Sequence, residues 1–119
     1  MIVIIDDDYD NSYLLGKIVD LLKQECLRFE NGTLALNYLI SGNADLILCD
    51  LNLPDVDGFD LVRKFREIPH LYDIPIVAIS AFDEKEKISK AFESGFTDYV
   101  IKPFLPKDLM TKIKGFLNV

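Results

Sequence analysis

Short apolar runs alternate with longer segments of helical periodicity, and this alternation occurs five times along the chain. We predict β-strands at the short runs, over residues 2–5, 26–29, 45–49, 76–79 and 99–101. Most of these runs are apolar throughout, which is typical of strands covered on both faces of a sheet. Strands that alternate with helices predict a parallel sheet with crossover helices.

The segments between the runs carry apolar residues at the spacing of an amphipathic helix. Three longer helices have their apolar positions at Leu14, Leu15, Ile18, Val19 and Leu22, at Ile88, Ala91 and Phe92, and at Leu109, Met110, Ile113, Phe116 and Leu117. Two shorter helices are predicted over residues 34–40 and 59–65. Asp83 and Glu86 form a capping-box pattern at the start of the fourth helix, and Gly95 suits a left-handed helix end.

The second apolar run has a different pattern from the others. Its apolar residues Leu27 and Phe29 alternate with Arg28 and Glu30. One face of this strand should therefore reach solvent, and we predict that the strand lies at an edge of the sheet.

The loop after the third run carries turn signals at Pro54 and Gly58. Asp55 and Asp57 flank this turn. We interpret both aspartates as residues that form the turn and cap the next helix.

Composition and charge exclude several classes of protein. The chain has 119 residues, 50% of them hydrophobic, which predicts one domain with its own core over residues 1–119. The formal net charge of −7 disfavours direct binding to nucleic acid.

No apolar run approaches the ~20 residues of a membrane span and no signal-peptide pattern is present, so we expect a cytoplasmic protein without membrane contact. Cys26 and Cys49 form neither a disulfide pattern nor a zinc motif.

Polar residues that can carry chemistry directly follow the predicted strands. They are Asp6, Asp7 and Asp8 after the first strand, Asp50 after the third, Ser80 after the fourth and Lys102 after the fifth. In open α/β sheets, ligands bind outside the carboxyl ends of the strands. With a strand order of 2-1-3-4-5, the first and third strands are neighbours, and Asp6, Asp7 and Asp50 converge. Carboxylates so close together favour a hard dication, and Mg²⁺ prefers an all-oxygen site.

The same edge combines a nucleophile with groups that bind phosphoryl oxygens. Asp50 is the candidate nucleophile, and the Ser80 hydroxyl and the Lys102 ammonium are the candidate phosphoryl-binding groups. With Mg²⁺ beside them, these residue types indicate a phosphoryl-transfer site.

Four ordered segments of the chain carry these residues: VIIDDD at 3–8, DLILCDLNLPDVDG at 45–58, PIVAISA at 75–81 and DYVIKPF at 98–104. With them, the chain resembles the receiver domains of two-component response regulators over nearly its whole length. The resemblance implies a flavodoxin-like (βα)5 fold, a three-layer sandwich around a five-stranded parallel sheet of order 2-1-3-4-5.

The resemblance also implies the roles of the site residues. Asp50 would accept a phosphoryl group from a phosphohistidine on a histidine kinase or a histidine phosphotransfer protein. Mg²⁺ would be held by Asp6, Asp7, Asp50 and the backbone carbonyl of Asn52. Lys102 and Ser80 would contact the phosphoryl oxygens, and the Lys102–Pro103 bond matches one that is usually cis in this family.

The same resemblance implies a conformational switch. Tyr99 matches the switch aromatic residue of the family. The Ser80 hydroxyl can bind a phosphoryl oxygen only when one is present, and its movement would open space for the Tyr99 ring. The fourth helix, the fifth strand and the fifth helix are the predicted output surface. This surface would act on a downstream protein or an attached output domain.

Two further residues are predicted to set the lifetime of the phosphoryl group. Hydrolysis needs a water in line with the scissile bond. Asn52 lies two residues past Asp50, and Phe82 lies two residues past Ser80. Both side chains should flank the approach of this water. Phe82 has the bulk to obstruct the water and no group to orient it.

Three other functions fit parts of the pattern. A phosphatase of the haloacid-dehalogenase type needs a second aspartate two residues after the nucleophile, where this chain has Asn52. A flavodoxin-like flavin carrier needs a phosphate-binding loop after the first strand, where this chain has aspartates. A phosphorylation-independent pseudo-receiver typically lacks one or more of the acidic residues present here. We therefore predict a signalling domain with self-catalysed phosphotransfer and autodephosphorylation rather than a conventional enzyme.

Overall fold

Five β-strands alternate with five α-helices in the computed structural model, which describes residues 1–119. The strands are β1 (Ile2–Ile5), β2 (Cys26–Phe29), β3 (Leu46–Cys49), β4 (Ile76–Ser80) and β5 (Asp98–Ile101). The helices are α1 (Tyr9–Leu21), α2 (Gly32–Leu39), α3 (Gly58–Glu67), α4 (Lys85–Ser94) and α5 (Pro106–Leu117), and a short 3-10 helix spans Pro69–Leu71. All strands pair in parallel in one sheet of order β2-β1-β3-β4-β5, which confirms the predicted α/β fold and strand order.

The sheet separates two apolar cores, because successive side chains of a strand point to opposite faces. Residues of α2, α3 and α4 pack on one face, and residues of α1 and α5 pack on the other. The inner strands β1, β3 and β4 are buried at every position, as their unbroken apolar sequences predict. Cys49 lies in the core on the α2–α4 side, where its side chain is buried.

The outer strands β2 and β5 form the two edges of the sheet. The prediction for β2 is confirmed, and its Arg28 is exposed. Beside the other edge strand, β5, the inner strand β4 runs one residue further than predicted, because Ser80 pairs with Ile101. Ser80 is thus the last residue of a buried strand and not the first residue of a loop.

Two predicted helix boundaries are confirmed. Asp57 caps α3, where its Oδ1 accepts hydrogen bonds from the backbone N–H groups of Phe59 (2.8 Å) and Asp60 (3.3 Å). Gly95 ends α4 with a φ of 126°, a conformation that residues with a β-carbon rarely adopt. None of the helices is long and apolar enough to cross a membrane.

The predicted capping box at Asp83 is wrong. The helix α4 begins one residue later than this pattern indicates, with Glu84 at the cap position and no side-chain cap hydrogen bond. Just before the helix, backbone groups of Phe82 are bound by the side chains of Ser80 and Tyr99. The chain then enters the helix with Glu84 in an extended conformation.

Candidate functional site

The predicted site residues lie together at the carboxyl ends of four strands. Asp6 and Asp7 follow β1, Asp50 follows β3, Ser80 ends β4 and Lys102 follows β5. The side chains differ in exposure, since Asp6 is only 3% exposed and Asp50 only 9%, whereas Asp7 is exposed. The parallel order of the strands brings these residues to one edge of the sheet, as expected for an α/β fold.

Three carboxylates and one ammonium group form the centre of this site. One carboxylate oxygen from each of Asp6, Asp7 and Asp50 lies within 4.8 Å of the others. The Lys102 Nζ lies 3.2 Å from Asp6 Oδ2 and 3.1 Å from Asp50 Oδ2, so it pairs with both buried carboxylates. A single ammonium cannot neutralise three carboxylates, and the centre keeps an excess of negative charge.

The pKa of Asp6 and that of Lys102 are both raised, for different reasons. Burial raises the pKa of Asp6, and the nearby Asp50 carboxylate adds to this increase. Burial acts to lower the pKa of Lys102, but its attraction to Asp50 and Asp6 prevails and leaves the pKa above its usual value. Lys102 is therefore a permanent cation, suited to bind an anionic group beside Asp50.

The donor atoms of this centre fit Mg²⁺. The clustered groups are all carboxylates, and hard oxygen ligands are those that Mg²⁺ prefers. The Oδ1 atoms of Asp6 and Asp50 already accept hydrogen bonds from the N–H groups of Asp8 (2.9 Å) and Asn52 (3.0 Å). These bonds fix the orientation of both carboxylates while further lone pairs remain for a metal ion. The Asn52 carbonyl as a fourth ligand stays a prediction.

Ser80 and Tyr99 are linked through the backbone of Phe82. The Ser80 Oγ, which is buried, accepts a hydrogen bond from the N–H of Phe82 at 3.1 Å. The Tyr99 hydroxyl donates to the carbonyl of the same residue at 2.7 Å. The two predicted switch residues therefore bind opposite ends of one residue in the loop before α4.

Asn52 and Phe82 line the same cleft, between the loop after β3 and the start of α4. The Phe82 side chain is half-buried, and the ammonium of Lys87 lies 5.0 Å from the centre of its ring. The structure brings together the two residues predicted to flank the approach of water. Their effect on hydrolysis stays a prediction.

The predicted role of Asp55 as a cap of the next helix is wrong, since only Asp57 caps α3. The Asp55 carboxylate instead binds the first turn of the preceding helix, α2, at Gly32 and Thr33. These partners are 23 and 22 residues away in the sequence, so no local pattern points to them.

Comparisons with known proteins agree with this arrangement. The family model of the response regulator receiver domain matches residues 2–114. The chain is 32% identical over 117 residues to the phosphate regulon transcriptional regulatory protein PhoB of Pseudomonas aeruginosa, a match that covers 98% of this chain and 51% of that protein. It is 37% identical over 113 residues to the transcriptional regulatory protein KdpE of Staphylococcus aureus, which covers 95% of this chain and 48% of that protein. The chain thus spans about half the length of these curated relatives.

A solved structure has the same fold over nearly the whole chain. The crystal structure of a two-component response regulator from Clostridium difficile superimposes with a TM-score of 0.91 and 32% sequence identity. The match covers 98% of this chain and 94% of that chain. The likeness therefore includes every strand that carries a site residue at its carboxyl end.

Proposed function

This chain belongs to the response regulator receiver domain family, and we propose that residues 1–119 form a phosphoacceptor unit in which Asp50 receives the phosphoryl group. The observation that carries the proposal is the position of Asp50 beside both kinds of group that the reaction needs. Its carboxylate lies in the acidic cluster with Asp6 and Asp7, and its Oδ2 lies 3.1 Å from Lys102 Nζ.

The proposed reaction is an in-line displacement at phosphorus. A carboxylate oxygen of Asp50 attacks the phosphorus of a phosphohistidine, and the new P–O bond forms as the P–N bond breaks and the imidazole leaves. Lys102 binds a phosphoryl oxygen and stabilises its negative charge, and the Ser80 hydroxyl binds another. A cation held within hydrogen-bond distance of the nucleophile is preorganised for this role, because it need not move when the charge arrives.

Asp6, Asp7, Asp50 and the Asn52 carbonyl are the proposed Mg²⁺ ligands. When bound, the ion supplies charge neutralisation that lets a phosphoryl group approach a cluster of carboxylates. The excess negative charge of the cluster and the exposure of Asp7 to solvent support a site that a hydrated ion can enter.

The proposed output surface consists of α4, β5 and α5. It presents exposed apolar side chains, which are Phe92 of α4, Ile101 of β5 and Leu105 next to α5. Tyr99 lies on β5 and reaches the loop before α4, so a change at Ser80 has a direct path to this surface. Exposed apolar residues at adjoining elements suit a protein partner or an attached output domain.

The proposed phosphoryl donor is a histidine kinase or a histidine phosphotransfer protein. We propose that this exchange takes place in the cytoplasm, in keeping with the two free cysteines Cys26 and Cys49. The net charge of −7 supports a protein partner rather than nucleic acid.

Mass spectrometry after incubation with acetyl phosphate and Mg²⁺ tests the proposal. We expect the wild-type chain to gain about 80 Da, the mass of one phosphoryl group, and Asp50→Asn to gain none. The control is Asp83→Asn, which removes an exposed carboxylate outside the cluster and should be labelled like the wild type. Labelling without a kinase would also demonstrate that the chain catalyses its own phosphorylation. Equal labelling of Asp50→Asn and the wild type would contradict the assignment.

A further inference from the structure

The loop of residues 51–57, here called the β3–α3 loop, connects the phosphoacceptor position to α3 and contains Asn52. Its two ends are fixed close to the sheet. Asn52 N–H donates to Asp50 Oδ1 at 3.0 Å, and Gly58 N–H donates to the carbonyl of Leu51 at 3.1 Å. Asn52 and Asp57 also face each other in an antiparallel bridge, and the side chain of Asp55 supplies the hydrogen bonds that join the outer part, residues 53–56, to another element.

Asp55 joins this outer part to the start of α2. Its Oδ1 accepts a hydrogen bond from Gly32 N–H at 3.0 Å, and its Oδ2 accepts one from Thr33 N–H at 2.9 Å and another from the Thr33 hydroxyl. The first N–H groups of a helix lack partners within the helix and carry partial positive charge, so a carboxylate is well suited to bind them. The Thr33 hydroxyl is the main cause of the lowered pKa of Asp55.

Steric fit adds to these hydrogen bonds. A β-carbon on Gly32 would collide with the side chain of Val56, which shows that the loop rests directly on the helix backbone. Val56 is half-buried and packs against the core on this side of the sheet. The loop is therefore attached to α2 by both polar and apolar contacts.

We propose that Asp55 is a positioning residue, which holds the β3–α3 loop against α2 and so fixes the Asn52 backbone for Mg²⁺ binding. The inference rests on the proposed function, since it concerns the proposed metal ligands. Asp55 itself touches none of the three clustered carboxylates. Its effect arises because a loop that is already ordered loses less conformational entropy when a ligand binds.

The test compares two residues that cap the same helix. Asp55→Ala removes the hydrogen bonds between α2 and the loop and leaves the apolar contact of Val56 with Gly32 in place. Asn31→Ala is the matched control, because Asn31 Oδ1 caps α2 through Leu34 N–H at 2.9 Å but makes no hydrogen bond to the loop. Magnesium chloride is titrated into each ¹⁵N-labelled variant, and the dissociation constant is obtained from the backbone amide shifts of Asp7 and Asn52. Urea unfolding in EDTA measures stability separately.

We expect Asp55→Ala to weaken Mg²⁺ binding about tenfold, the lower limit for residues that support metal ligands from outside the coordination shell. Asn31→Ala should bind Mg²⁺ within about twofold of the wild type, although both variants lower the urea midpoint in EDTA. A merely structural role of Asp55 would lower stability in both variants and would leave both affinities alike.

Two further variants keep the test valid if Asp55→Ala does not fold completely. Thr33→Val removes one hydrogen bond from the α2 side, and Asp55→Asn keeps the shape of the side chain without its charge. Each should weaken Mg²⁺ binding by a smaller factor, and Thr33→Val should have no added effect in Asp55→Ala.

Equal Mg²⁺ affinity of Asp55→Ala and Asn31→Ala would overturn the inference. A wild-type chain that is phosphorylated at Asp50 and binds Mg²⁺ normally would meanwhile leave the proposed function intact. A wild-type chain that binds no Mg²⁺ would overturn the metal site and, with it, the role of Asp55.

Discussion

Phe82 is held through its backbone by Ser80 and Tyr99, while its ring remains half-exposed in the cleft that Asn52 also lines. We expect Phe82→Asn to speed loss of the phosphoryl group several-fold. An amide can orient the attacking water, and one positioned hydrogen bond contributes roughly 1 kcal/mol to the barrier. The rate of phosphate release from purified phosphoprotein measures the effect.

Phe82→Leu is the control for this change, because leucine also lacks a hydrogen-bonding group and retains much of the apolar bulk. Its rate should stay close to that of the wild type. An unchanged or slower rate in a folded Phe82→Asn variant would show that the ring only packs against the core and does not control access of water.

Asp7 is the exposed member of the acidic cluster, and no hydrogen bond or ion pair engages its carboxylate. We expect Asp7→Asn to raise the free energy of unfolding in EDTA by about 0.5–1 kcal/mol, since it removes repulsion between carboxylates a few ångströms apart in a solvated setting. Urea unfolding measures the change. Glu93→Gln, on an exposed position of α4, removes a charge elsewhere and should alter stability by less. A less stable Asp7→Asn would mean that repulsion in the cluster is already relieved.

At the scale of elements, Arg66 at the end of α3 binds the segments around it. Its guanidinium donates to the carbonyls of Gly95 (2.9 Å), Leu71 (2.9 Å), Tyr72 (3.2 Å) and Ile74 (2.7 Å), and to the Thr97 hydroxyl (3.2 Å). One side chain thereby joins α3 to the end of α4 and to the chain that enters β4. Burial lowers the pKa of Arg66, yet a guanidinium stays charged in proteins.

We expect Arg66→Ala to destabilise the chain by about 2–4 kcal/mol, because it leaves several carbonyls without their charged donor. Arg66→Lys should recover little of this loss, since one ammonium cannot reproduce a planar fork of donors. Arg63→Ala is the control on the same helix. Arg63 pairs with Asp60 at 2.7 Å in an exposed setting, where such pairs contribute at most about 1 kcal/mol. Urea unfolding that gave equal losses for Arg66→Ala and Arg63→Ala would contradict the role of Arg66.

The elements also explain what the sequence could and could not predict. The strands β1, β3 and β4 were predictable because burial on both faces requires unbroken apolar runs, and the polar residues at their ends then follow from the topology. Contacts between distant segments leave no such trace, as with Asp55 and Thr33 or with Arg66 and Gly95. The hydrogen bond from Tyr99 to Phe82, just before α4, spans 17 residues and was equally beyond the reach of a local pattern.

For the molecule as a whole, Mg²⁺ should act as a stabilising ligand. At a concentration tenfold above the dissociation constant, it should add about 1.4 kcal/mol to the free energy of unfolding and raise the melting temperature by about 5 °C. Differential scanning calorimetry in MgCl₂ measures the shift, with NaCl at equal ionic strength as the control. Asp7→Asn should gain less from Mg²⁺ than the wild type. A shift that NaCl reproduces would indicate general screening instead of a metal site.

The strand order also bears on how such a chain diverges over evolutionary time. The phosphoacceptor follows β3 in the middle of the sheet, where every neighbouring strand position is buried, so substitutions there disturb packing as well as chemistry. The proposed output surface lies at the β5 edge, where exposed side chains such as Phe92 and Ile101 can change with little effect on stability. After gene duplication, a lineage can therefore acquire a new partner through mutations at the β5 edge of the sheet, while Asp50 and the residues around it stay unchanged.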